Sequence, residues 1–442
     1  MRALLALAAS ATLFACGEAS VAPAEPSTSL TWHQDVSPII AARCATCHVD
    51  GGVAPFSLQT LDDVMSTRPL LATSVRMDSM PPWQAAPGYV EYRADLSLTE
   101  REKSVLLEWL DSEDTPLGDP ANPGAELPAP TLELEREDIL LTVPEAYTPP
   151  ANSDDYRCFI VDWPADEPLF VTGTSALPGA PSLSHHMAIF LVGPDEVQRF
   201  LDLDEADPGL GYECFGAAAG DDYFAPYELI GGWAPGGGAM VFPEGTGIPV
   251  APGSIVILQQ HYNTLFSEPE SDQSSMVFEV TENVEREAHF IPFLDWSWVL
   301  AGMEIEAGVP DVTHSYVDRP DFSLGLFFPN ADARAPLELW AASPHMHLLG
   351  QSVRLDVVRE DETVQPILDL PIWDFGWQRV YWFQDSVTLG PQDKIQLTCR
   401  WDNSAENQPI IDGTSTDPRD VGWGEGTFDE MCLSVIYVTQ AR

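Results

Sequence analysis

The spacing of apolar residues changes once along the chain. Residues 35–42 carry apolar positions at helical spacing, and so do Val105, Leu106, Trp109 and Leu110, which follow a capping-box pair, Thr99 and Glu102. These segments predict a small all-α unit over residues 30–115. Residues 116–131 are dense in Pro, Gly, Asp and Ala without a period, the composition of a linker. After that the pattern turns to short β-like runs at residues 159–163, 187–192, 254–262, 353–358, 395–401 and 433–438. Turn clusters such as Gly231-Gly232 and residues 235–238 separate them, and long helical patterns are scarce. The expectation is a multidomain chain in which two all-β sandwiches follow the helical unit. They span residues 132–290 and 291–442, with the boundary near Ile291.

A length of 442 residues exceeds one ordinary core, and 45% hydrophobic content is enough to fill several. The net charge of -49 reflects scarce cations as much as abundant acids, since the only lysines are Lys103 and Lys394. Such a surface argues against a nucleic-acid partner and otherwise indicates solubility.

The first fifteen residues contain Arg2 and an apolar run too short to span a bilayer, ending in Leu13-Phe14-Ala15 before Cys16. This pattern is that of a bacterial lipoprotein signal over residues 1–15, with Cys16 as lipid anchor and residues 16–29 as tether. An ordinary secretory signal is the alternative, because Phe14 replaces the usual small residue. Either route leads outside the cytoplasm, and with no evident retention signal after Cys16 the outer membrane is the expected destination.

Residues Cys44-Ala45-Thr46-Cys47-His48 place two thiols three positions apart with a histidine directly after them. That arrangement attaches a c-type haem, the thiols adding across its vinyl groups and His48 ligating the iron. A redox dithiol or half a zinc site would share the spacing, but neither a βαβ context nor a second ligand pair is visible. Met80, in the rigid Met80-Pro81-Pro82-Trp83, is the candidate second axial ligand and Met77 its rival; His33 reads as a surface or haem-edge residue. With Cys16, Cys44 and Cys47 assigned, Cys158, Cys214, Cys399 and Cys432 remain, enough for two disulfides in an oxidising compartment.

Five of the nine histidines fall into three compact groups: His185-His186, His261, and His345-Met346-His347. Strand period puts His345 and His347 on one face. His185 and His186 would share an ion only at a strand end or bulge, which the preceding residues 181–184 permit. Imidazoles with a thioether favour copper cycling between its two oxidation states. His289 and His314 lie outside the pattern and read as structural.

The set resembles the copper type II ascorbate-dependent monooxygenases, the family of peptidylglycine α-hydroxylating and dopamine β-monooxygenases, over residues 132–442. The resemblance implies jelly-roll-like sandwiches and two coppers. By it, His185, His186 and His261 would hold an electron-transfer copper, within His185-His186-Met187 and the stretch from Leu258 to Asn263. His345, His347 and Met431 would hold the oxygen-binding copper, Met431 lying in a Glu430-Met431-Cys432 stretch close to a family signature. Gln259 is a further catalytic candidate. Cys432 directly follows the methionine and Cys399 lies in a strand that could pair with it; the resemblance also pairs Cys158 with Cys214. The family's reaction inserts one oxygen atom of O2 into a C–H bond and reduces the other to water with two external electrons, which the haem here would supply from an upstream donor.

In the peptide-amidating branch an arginine two residues before the His-x-His binds the substrate carboxylate, and Ser343 stands there in this chain. Leu433 and Val435 replace the branch's asparagine and tyrosine. The sequence therefore points to an uncharged or weakly polar small organic substrate. Two non-enzymatic readings compete: a copper and haem electron carrier, and a copper-binding lipoprotein.

Overall fold

The computed structural model describes residues 30–441 apart from 51–53, 128–132, 217, 221, 223–224, 235–237, 265–267, 328–331, 333, 412–413, 425 and 427. The signal sequence, Cys16 and the tether lie outside the described residues, as does part of the linker. Among the described residues no helix is long and apolar enough to cross a membrane.

Three helices build the N-terminal unit: α1 (Ser37–Arg43), α2 (Leu61–Arg76) and α3 (Glu100–Asp111). At α3, Thr99 Oγ1 accepts the Glu102 amide at 3.2 Å while Glu102 Oε2 accepts the Thr99 amide at 2.7 Å, so both orphan donors are satisfied. Leu106, Trp109 and Leu110 then face inward against Trp32, Val36 and Ile40, with the Trp32 and Trp109 rings 5.5 Å apart. Helix α2 carries the same device at Thr60 and Asp63, though Pro69 interrupts its pattern.

The rest is β-sheet with short helices. A five-stranded sheet (order Tyr212–Glu213, Asp154–Asp162, Ile255–Asn263, Ser184–Val192, Glu228–Trp233) carries one face of the first sandwich. A four-stranded sheet (Val312–Asp318, Lys394–Trp401, Gly350–Val358, Val364–Leu370) carries one face of the second. A nine-stranded sheet spans both. Its central strand, Arg286–Phe293, pairs in parallel with Thr246–Val250 and antiparallel with Leu433–Gln440. Ile291 is fully buried within this strand, which both sandwiches share. The two sandwiches meet through backbone hydrogen bonds, which hold their facing ends in a fixed relation.

The N-terminal unit is docked as well as tethered. The Ala86 amide donates to Asp369 O at 2.8 Å, the Arg93 amide to Trp382 O at 2.8 Å, and the Gln384 amide to Glu91 O at 2.7 Å. Tyr92 pairs with Phe383 as an antiparallel bridge. Ala85 belongs to the core of the second sandwich, with Trp83, Val90 and Tyr92 packed against it. Residues 83–93 act as an extra edge element of the sheet that ends in Tyr381–Leu389. The linker composition of residues 116–131 does not show which surface residues 83–93 cover.

Candidate metal centre

Two histidine clusters face one cleft of about 330 Å³ between the sandwiches, lined among others by His185, His186 and His345. The first cluster is built on paired strands. His186 lies opposite His261, and the register shifts between Ser184 and His186. That bulge turns two consecutive imidazoles toward the same neighbour. His186 Nδ1 lies 3.3 Å from both His185 Nδ1 and His261 Nδ1, and ligand nitrogens of all three lie within 4.8 Å of one another. Tyr156 stacks on His261 with centroids 3.8 Å apart. Burial, reinforced by His261, His185 and His345, holds His186 well below the ordinary histidine range. A trio of imidazoles, His261 buried and the other two half-buried, of which His186 is kept neutral, is a donor set for a soft or borderline cation.

The second cluster departs from the expected strand alternation. The strand Leu337–His345 ends at its first histidine, and His347 sits in the following turn. The turn, shaped by Glu430, brings the two together. Oε2 of Glu430 accepts the His347 amide at 2.9 Å and Trp401 Nε1–H at 2.9 Å; its Oε1 accepts the Leu349 amide at 2.6 Å. This carboxylate is fully buried, and burial pushes its pKa up to about 7 against those donors. Gly350 closes the turn because a side chain there would meet Trp373 at 2.6 Å, and Trp373 Nε1–H donates to His347 O at 3.1 Å.

The proton positions in this pair follow from their partners. Gln378 Nε2–H donates to Phe375 O at 3.0 Å, which leaves Gln378 Oε1 to accept His345 Nδ1–H. His347 Nδ1–H donates to Asp429 O at 3.0 Å. Both Nε2 atoms are therefore bare, and they face each other at 3.1 Å. Burial, then His347, holds His345 down at about pKa 3, and burial lowers His347. Two lone pairs converging at that distance fit a bound cation, with Gln378 and Asp429 orienting the ligands from behind. Met431 is buried in the segment that follows Asp429, between Glu430 and a Cys432 joined to Cys399.

Cys158 is bonded to Cys214 in the first sandwich. Gln259 is placed away from the cleft lining: its Nε2–H donates to Cys214 O at 2.7 Å, which fits a role in holding that loop. His289 lies 3.5 Å from Glu228 Oε1 and His314 Nε2 2.8 Å from Glu304 O. In the N-terminal unit Cys44 and Cys47 are not joined to each other, and the Cys47 and His48 amides both donate to Cys44 O. His48 Nδ1–H donates to Phe56 O at 3.0 Å, leaving Nε2 as a ligand atom. Met80 is half-buried, whereas Met77 is 73% exposed. His33 is half-buried, with its backbone bonded to Leu117 and Gly124.

Ser343 lines the cleft where the amidating branch has its arginine, but cations reach the cleft from elsewhere. Arg93 and Arg379 both line it, supplied by the docked segment and by the loop before Tyr381, so Ser343 does not decide the cleft's charge. The sequence also gave no place to Gln378, Trp83 or Tyr156; Glu430 stood beside the methionine, but its role needed the fold.

Residues 330–441 match the family model described as copper type II ascorbate-dependent monooxygenase, C-terminal domain. The chain is 24% identical over 264 residues to DBH-like monooxygenase protein 1 of Gallus gallus, covering 58% of this chain and 39% of that protein. The Homo sapiens protein of the same name gives 24% over 268 residues, with the same shares. Tyramine beta-hydroxylase of Caenorhabditis briggsae gives 23% over 333 residues, 69% of this chain and 49% of that one. A solved bacteriophage PM2 capsid protein aligns with a TM-score of 0.27, too low to carry an argument. Together the family model, over residues 330–441, and the monooxygenase relatives support a likeness to the copper type II family. The chain spans about two-fifths of the length of the DBH-like relatives it matches.

Proposed function

We propose that this protein is a copper-dependent monooxygenase that hydroxylates a C–H bond of a small organic substrate, outside the cytoplasm, with electrons delivered through a covalent haem. The observation that carries the reading is the convergence on one cleft of the His185, His186 and His261 group and the His345 and His347 pair. His345, His347 and Met431 would hold one copper and the three other histidines the second. Copper held at these positions would supply one-electron redox chemistry toward O2.

The chain's own residues prepare that chemistry. Gln378 and Asp429 hold the Nδ1 protons of His345 and His347 so that both Nε2 atoms point inward. Trp83, Trp377, Trp382 and Phe375 line the cleft with apolar surface that limits water beside the substrate. Cys44 and Cys47 would hold the haem, with His48 and Met80 as axial ligands, a carrier of single electrons. Cys47 lies near Arg379, which lines the cleft, and this supports a haem edge turned toward the cleft.

The test is turnover of the copper-loaded, haem-bearing chain under 18O2 with a reductant and a panel of small substrates. The expected result is one labelled oxygen in the product, lost in His345→Ala and slowed in Cys44→Ser/Cys47→Ser. Oxygen consumption that ends only in peroxide, unchanged by His345→Ala, would contradict the reading.

A further inference from the structure

The cleft's charge is opposite to that of the chain. The protein holds 69 acidic residues against 20 Lys and Arg, yet among the described residues no aspartate or glutamate lines the cleft, while Arg93 and Arg379 do. Arg379 lies over the Trp83 ring, 5.4 Å from its centroid, and its guanidinium forms no ion pair with a described residue. Burial lowers its pKa, with Tyr381, Cys47 and Asp95 opposing. Arg93 lies over Trp382 at 6.0 Å and donates one hydrogen bond, to Val241 O at 3.0 Å. Both guanidinium groups are half-buried, and with no carboxylate in direct contact they can offer an entering anion paired charge-assisted hydrogen bonds.

We propose that the cleft takes a ligand with a carboxylate on an apolar body, and that Arg379, aided by Arg93, receives the carboxylate. The aromatic lining, Trp83, Trp377, Trp382 and Phe375, suits the body, and about 330 Å³ accommodates a small aromatic acid. An amine would find two cations and no carboxylate on the cleft wall. This deepens the monooxygenase reading and rests on it for calling the ligand a substrate.

The probes are phenylacetate, 2-phenylethanol and phenethylamine, of similar shape and differing charge. Binding is followed by calorimetry and by tryptophan fluorescence on the full chain, with and without copper; the copper-free arm removes direct ligation of the carboxylate to metal. The expected order is phenylacetate tightest, by about tenfold over the alcohol, as one charge-assisted contact supplies. Arg379→Gln should erase that ratio while leaving the alcohol's affinity in place, Arg379→Lys should restore part of it, and Arg93→Gln should lower it. A phenylacetate affinity no greater than that of the alcohol, or tightest binding of the amine, would overturn the proposal. Equal loss for acid and alcohol in Arg379→Gln would also overturn it, since that is the result of a packing role against Trp83. No turnover is involved, so a chain that binds the acid but oxidises nothing would refute only the monooxygenase reading.

Discussion

Replacing Glu430 tests how the second histidine pair is assembled. Glu430→Ala removes the acceptor of three buried donors, the His347 and Leu349 amides and Trp401 Nε1–H. Each stranded donor costs about 1–3 kcal/mol. The carboxylate's own burial, which raises its pKa, offsets part of the sum, so a net loss of about 4 kcal/mol is expected. For a unit of this size that corresponds to a fall in melting temperature of roughly 8–16 °C. Because the same bonds place His347, copper affinity at the His345 and His347 pair should drop about 10–100-fold, the usual cost of losing a residue that orients a ligand. The His185, His186 and His261 group does not contact Glu430 and should keep its metal. Glu430→Gln retains one carbonyl oxygen but turns an NH2 group toward a donor, and should fall between wild type and alanine. Scanning calorimetry gives the first number and competitive chelator titration the second. A melting temperature within about 2 °C of wild type, with unchanged affinity at both sites, would refute the argument.

Further outcomes follow from single features. The double variant Cys399→Ser/Cys432→Ser opens a loop of separation 33 and should cost about 4 kcal/mol, read by denaturant unfolding of the oxidised and variant proteins. In haem-free protein, burial, then Cys47, pushes the Cys44 thiol up to about 12, so at pH 8 only about one thiol in ten thousand is ionised. Alkylation of Cys44 by iodoacetamide, followed by peptide mass analysis, should therefore accelerate about tenfold per pH unit from 8 to 11; a rate already flat at pH 8 would contradict that environment. Tyr92→Ala removes the bond from its hydroxyl to Ile367 O at 3.0 Å and its ring contacts with Tyr381 and Phe383, so hydrogen exchange across residues 83–93 should rise while that of α3 holds.

Much of the candidate site was legible because its chemistry is carried by local strings. The string at residues 44–48, the histidine groups and the Glu430-Met431-Cys432 stretch each occupy a few consecutive residues, and the Thr99 capping box is complete within four. Helix α2 was missed because Pro69 breaks its period while tertiary packing of Val64, Leu71 and Val75 sustains it. The His345 and His347 geometry was anticipated from strand period, whereas the strand stops and a carboxylate 83 residues away bends the chain. Gln378, Arg93 and Arg379 were invisible for the same reason: Arg93 reaches the cleft from the docked segment and the other two from the loop before Tyr381, and no spacing rule links them to the histidines. The docking of residues 83–93 likewise depends on a complementary sheet edge supplied by Tyr381–Leu389.

The most direct measurement is copper stoichiometry with EPR on haem-bearing protein, compared with His261→Ala and Met431→Ala. The account predicts two coppers per chain with distinct type II signals, each variant losing one and keeping the other. A single copper bound by both clusters, or none bound stoichiometrically, would contradict it.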